Sequence, residues 1–142
     1  MQANEPEETQ VATTEICSAA EEHALLDQLI EQFKETTLAV RCETAEGAAD
    51  MCYDVSVSFA QLLHSHGIAP QLVTLVDDME TTEHVVVEVS GRYIDWSAAQ
   101  FEDGLGSPHE FDDPERYGFA TSMAVLRSTA YDPSYHRCFF EG

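Results

Sequence analysis

At Pro70 the hydrophobic pattern of this chain changes period, and that change constrains the fold more than any other feature. Before it, apolar residues recur at three- and four-residue steps, as on one face of a helix. From about Glu15 to Thr36 these are Ile16, Ala19, Ala20, Leu26, Leu29, Ile30 and Phe33, with Thr13 or Thr14 placed as the cap. From about Met51 to His66 they are Val55, Phe59, Leu62 and Leu63. Asp50 is a good N-cap for this second helix. Gly67 is placed to end it in the left-handed conformation, and Pro70 blocks continuation. Beyond Pro70 the pattern alternates. Gln71 to Val76 and the Val-rich run His84 to Val89 read as strands, with a polar turn between them. Ser90-Gly91 is a hairpin turn, and Arg92 to Trp96 is the returning strand. Helices followed by antiparallel strands predict an α+β domain.

The remaining segments carry weaker patterns. Residues 37–41 predict a short extended piece and 43–50 a loop. Residues 102–113 predict a loop holding Gly104, Gly106 and Pro108. A third helix is expected from about Pro114 to Ser128, with Asp112-Asp113 as its cap, and a final strand or tail over Tyr131 to Gly142. The organisation expected is a flexible acidic tail over 1–14 and a single domain over 15–142. A chain of 142 residues with 44% hydrophobic content buries a substantial core and is not wholly disordered.

The formal charge is −21 at pH 7, from 27 acidic and 6 basic side chains. Phosphate would be repelled, so nucleic acid and anionic lipid are not expected as direct ligands. A basic protein partner is compatible with that charge, and so is mimicry of a nucleic acid. No apolar run approaches the roughly 18 residues of a membrane span. The amino terminus lacks the basic and apolar regions of a secretory signal. A cytoplasmic protein is expected, so Cys17, Cys42, Cys52 and Cys138 are expected as free thiols. Their spacing has no zinc-site pattern, and no metal or cofactor is expected. The acidic run Asp77, Asp78 and Glu80 lacks the loop pattern of a calcium site. His64 and His66 suit a helix C-terminus better than a metal.

Three residues combine reactive chemistry with position. Cys52 lies in the first turn of the second helix, where the helix dipole favours a thiolate. His84 opens the Val-rich strand, and Asp95 lies on its hairpin partner. A two-residue turn at Ser90-Gly91 places Asp95 opposite Val86, one diagonal step from His84 on the same face. Diagonal neighbours stand roughly 7–8 Å apart at Cα, within reach of an Asp–His hydrogen bond. Val85, Val87, Val89, Ile94 and Trp96 occupy the other face as core. If the helix start meets the His84 face, the three side chains form a Cys–His–Asp triad. Cys52 is then the nucleophile, His84 exchanges protons, and Asp95 holds the imidazole tautomer. The backbone N–H of Cys52 is available as an oxyanion donor, with Gln100 as a candidate side-chain donor.

The run Cys52-Tyr-Asp-Val-Ser-Val-Ser-Phe-Ala-Gln-Leu-Leu-His-Ser-His-Gly67-Ile-Ala-Pro resembles the nucleophile helix of papain-like and transglutaminase-like enzymes. The segment Glu83-His84-Val-Val-Val-Glu-Val-Ser-Gly-Arg-Tyr-Ile-Asp95-Trp-Ser resembles their following hairpin. Asp95-Trp-Ser-Ala-Ala-Gln100-Phe is similar to a motif of small bacterial papain-fold toxin and effector domains. The resemblance covers about Cys52 to Phe101. It implies a papain-like core with N-terminal helices packed on a small antiparallel sheet. It also implies a cofactor-free cysteine hydrolase, of deamidase or peptidase type, acting on a protein or peptide amide through Cys52, His84 and Asp95. The chain departs from the family in two places. Glu43 and Glu46 occupy the region upstream of the cysteine where papain has its oxyanion Gln, and Val85 or Val86 stands where an aromatic often follows the His. The alternative is a non-catalytic acidic binding or inhibitor protein, phage-encoded or an assembly protein, on a degenerate version of this fold.

Overall fold

The computed structural model describes residues 6–77, 82–102 and 104–138, with side chains from Ala19 onward. The described chain is mixed α and β. Four helices, α1 (Pro6–Phe33), α2 (Thr37–Arg41), α3 (Ala45–Ala48) and α4 (Cys52–Ser65), precede β1 (Gln71–Asp77), β2 (Glu83–Val89) and β3 (Arg92–Asp95). A 3-10 turn at Ala98–Gln100 follows, then β4 (His109–Phe111), a second 3-10 turn at Pro114–Arg116, and β5 (Met123–Ala130). The strands form one antiparallel sheet in the order β4-β3-β2-β1-β5.

The hairpin has the expected register. Val89 faces Arg92 and Val87 faces Ile94. Ser90 and Gly91 both have positive φ, at 50° and 88°, as a turn matching the strand twist requires. The end of α4 is also as expected. Gly67 has φ 86°, its N–H donates to His64 O, and Ile68 N–H donates to Leu63 O, the paired bonds of a left-handed helix cap. A Cβ at Gly67 meets nothing nearby, so only backbone strain opposes a side chain there. Gly67→Ala should therefore destabilise the protein by about 1–2 kcal/mol in urea unfolding.

Several expectations fail for identifiable reasons. α1 begins at Pro6, ahead of the expected start near Glu15, so residues 6–14 belong to the helix; the side chains of Thr13 and Thr14 lie outside the description. Residues 37–41 are helical, not extended, because Thr36 Oγ1 accepts the Ala39 N–H at 3.2 Å and starts a turn. Thr44 does the same for Gly47, at 3.1 Å, and makes α3 out of the expected loop. Gly47 packs directly on the Arg41 carbonyl, where a Cβ would overlap the oxygen. Asp50 is not the cap of α4. It takes φ 64° as the turn residue between α3 and α4, and Met51 is the N-cap, without a side-chain cap bond.

The expected third helix is replaced by a single 3-10 turn and by β5. Asp113 does cap, accepting the Glu115 N–H at 3.0 Å, but only that one turn follows. Residues 123–130 instead pair with the free edge of β1. The expected loop over 102–113 contains β4, which adds to the opposite edge beside β3. Of the expected final strand or tail, residues 131–138 hold one turn at 133–135 and no strand, and 139–142 lie outside the described residues. The polar turn between β1 and β2 lies largely at 78–81, outside the described residues, and takes Asp78 and Glu80 with it.

Two packed clusters flank the sheet. On one face, Leu26, Leu29 and Phe33 of α1 and Val55, Phe59 and Leu63 of α4 bury Val87, Val89, Ile94 and Trp96. Phe33, Phe59 and Trp96 meet at ring-centroid distances of 4.7–5.2 Å. The second cluster joins Val73, Leu75 and Val86 of the sheet to Ala98, Tyr117 and Met123. The face that carries His84 and Asp95 is therefore packed as well. The chain between β3 and β5 passes over it as a strap, tied to the sheet at one edge by β4 and at the other by β5.

Candidate active site

The β2–β3 ladder stops at Val87 and Ile94, and the chain then turns away into the 3-10 turn at Ala98–Gln100. This leaves the β3 side of Val85 and His84 without a strand partner. α4 uses the opening. Ser56 Oγ donates to the Val85 carbonyl at 2.9 Å. Cys52, one helical turn earlier on the same side, is thereby brought to His84.

His84 and Asp95 are both fully buried. His84 Nε2 donates to Asp95 Oδ2 at 2.7 Å. Tyr117 O–H donates to the same oxygen. Asp95 Oδ1 accepts the Ser97 backbone N–H at 2.9 Å and the Ser97 hydroxyl at 3.3 Å. These donors hold the Asp95 carboxyl below its usual range. Burial alone would raise it, but the His84 charge and the hydrogen bonds from His84, Tyr117 and Ser97 outweigh that. Burial likewise opposes charge on His84, yet Asp95 and then Cys52 raise its proton affinity to a pKa of about 9. At pH 7 the ring is an imidazolium.

The second ring nitrogen makes no ordinary hydrogen bond. His84 Nδ1 is buried without a hydrogen-bond partner, and Cys52 is the neighbouring group close enough to raise the proton affinity of the ring. Cys52 is half-buried and free, in the first turn of α4. The structure therefore brings together Cys52, His84 and Asp95 with His84 in the middle. Cys42 is the contrasting thiol, fully buried and pushed up to about 11 by that burial.

Gln100 is drawn into the same network by another route. Its Nε2 donates to Ser97 Oγ at 3.3 Å, so it braces the hydroxyl that contacts Asp95. Sequence reasoning missed Ser97, Phe101 and Tyr117. Phe101 lies edge-on to His84 with centroids 4.5 Å apart. Ser97 stands two residues after Asp95, the spacing at which a carboxylate caps its own turn, so a local signal existed. Tyr117 arrives from the strap, and its contact is wholly tertiary.

Two of the other histidines are accounted for locally. His66 Nδ1 lies 3.1 Å from the Leu62 carbonyl at the end of α4. His136 Nδ1 accepts the Asp132 N–H at 3.0 Å. Among the described residues, no three His, Cys, Asp or Glu side chains are grouped to hold a metal ion. No helix among them is long and apolar enough to cross a membrane.

A cleft of about 770 Å³ opens on the α4 side of the sheet. Tyr53 and Val85, the residues after Cys52 and His84, both line it, with Thr74 and Arg127 on its floor and Tyr135 and His136 at its wall. In comparisons with known proteins, no family model matches the chain, and no curated protein or solved structure does.

Proposed function

We propose that this protein is a cysteine-dependent acyl-transfer enzyme of papain-like type, hydrolysing or deamidating a protein or peptide amide. The observation that carries this reading is the buried His84, bonded through Nε2 to Asp95 and open through Nδ1 toward Cys52. An unpaired polar atom in a dry interior is costly, and a nucleophile beside it explains its retention.

In this reading a Cys52 thiolate pairs with the Nδ1 proton and attacks the amide carbonyl carbon. A carbon–sulfur bond forms and the carbonyl oxygen becomes an oxyanion. The start of α4 has no side-chain cap, which leaves the Cys52 N–H as a donor to that oxygen. Collapse breaks the carbon–nitrogen bond, and the leaving amine or ammonia takes the proton from Nδ1. Water then gives one proton to Nδ1 and attacks the thioester; the carbon–sulfur bond breaks, releasing a carboxylic acid and restoring the Cys52 thiolate beside protonated His84. This reading seats the peptide in the cleft lined by Tyr53 and Val85, whose volume lies within the usual range of ligand sites.

The test is iodoacetamide labelling of each cysteine against pH, read by mass spectrometry, in the native protein and in His84→Ala. Cys52 is expected to label fast at about pH 6 while Cys42 does not, and to lose at least tenfold in rate in the variant. Trp96 fluorescence checks that the variant is folded. Slow Cys52 labelling with an ordinary thiol profile, unchanged in a folded variant, would overturn the proposal.

A further inference from the structure

We propose that Tyr117 is a positioning residue that sets how firmly Asp95 holds the proton of His84. The inference rests on the Cys52–His84–Asp95 reading and adds a member that the triad pattern does not contain.

Asp95 accepts four hydrogen bonds, from His84 Nε2, Tyr117 O–H, and the Ser97 N–H and hydroxyl. A carboxylate has about four lone-pair sites, so these donors saturate it. Its plane is fixed, and the only role left to Nε2 is donor. The other nitrogen must then face Cys52.

Tyr117 and His84 share the same oxygen, Oδ2. The two donors compete for its charge. Each proton that Tyr117 directs at Oδ2 reduces the field that retains the imidazolium. A carboxylate bonded to His84 without this competition would grip the ring proton harder and make it a poorer acid for a leaving amine. The phenol is itself fully buried and dry, which strengthens its effect. Its place is fixed from two sides. Its ring lies edge-on to His84, Phe101 and Phe111, and its backbone carbonyl accepts a bond from His109 Nε2 on β4. The phenol therefore has no room to swing away from Oδ2. Its burial makes it harder to ionise than an ordinary tyrosine, so it remains a donor through the working pH range.

Tyr117→Phe removes the O–H and keeps the ring, so packing with Phe101 and Phe111 is retained. The measurement is the titration midpoint of His84, followed through its imidazole nitrogens by NMR, in the native protein and in the variant. A rise of about half a unit to one unit is expected, as a charge-assisted donor leaves Oδ2. The pH profile of Cys52 alkylation should move with it. An unchanged midpoint and an unchanged alkylation profile in a folded variant would overturn the role of Tyr117. That outcome is separate from failure of the catalytic reading, which is judged on whether native Cys52 labelling depends on His84. As a control, Tyr93→Phe also removes a phenol O–H from the same face of β3 as Asp95, and it should leave the midpoint in place.

Discussion

Asp95→Ala is expected to lower the unfolding free energy by about 3–5 kcal/mol, the usual loss when one partner of a buried ion pair is removed. The reason is what remains behind. His84 Nε2, the Tyr117 hydroxyl and both donors of Ser97 lose their acceptor in a site closed to water. The deeper expectation concerns His84. Without the carboxylate, burial governs the ring and the imidazole becomes neutral at pH 7. Urea unfolding at pH 7 measures the first effect and NMR titration of His84 the second. A loss under about 1 kcal/mol, the scale of an exposed pair, would contradict the geometry. Arg92–Asp27 provides that scale within the same molecule. It spans 2.7 Å, but Asp27 is largely exposed, and its removal should be nearly silent by comparison.

Stability should also fall as the solution becomes alkaline, and the window is set by His84. Its pKa is about 6.5 in the unfolded chain and about 9 in the fold. Below the first value both states carry the proton, and the stabilisation is complete. It declines as pH rises between the two and is gone above the second. The full amplitude is on the order of 3 kcal/mol, from the linkage between proton affinity and stability. Asp95 gives the opposite limb. Its contribution is present above the ordinary aspartate value of 3.8 and is lost as pH falls through its lower folded value. The stability maximum therefore lies between the two limbs, in mildly acidic solution. Unfolding midpoints across pH 5 to about 9 test this, with His84→Ala as the reference. In that variant the decline between 6.5 and 9 should vanish. Any further decline above pH 9 belongs to the other groups that burial holds protonated, the Cys42 thiol, pushed up to about 11, and the Tyr117, Tyr93 and Tyr131 phenols.

The sequence made the hairpin legible because its signals are local. Ser90-Gly91 specifies the turn, the turn specifies the register, and the register places His84 and Asp95 on one face. Gly67 was legible for the same reason. The approach of Cys52 was not, because it depends on where β3 ends and on Ser56 reaching Val85, a contact between residues 29 apart in sequence. The misreading of 114–128 has a similar cause. Asp113 and Pro114 start a helix correctly in local terms. What decides the outcome is the unfilled edge of β1, a partner about 50 residues upstream that no short window contains. Tyr117 was hidden by the same segment, so the missed strand and the missed site residue are one error. The two short helices before α4 were marked only by Thr36 and Thr44, whose capping role is clear once the acceptor bonds are seen.

The strap also sets an order of events. The hairpin, α4 and β1 are complete once the chain has been made as far as Asp95. The cover over His84 requires Tyr117 and then the β5 ladder, which ends at Ala130. A polypeptide growing from its amino end therefore carries the thiol and the imidazole before it can dry them. During synthesis this site is wet and weakly coupled, and it matures only when the chain has emerged through Ala130.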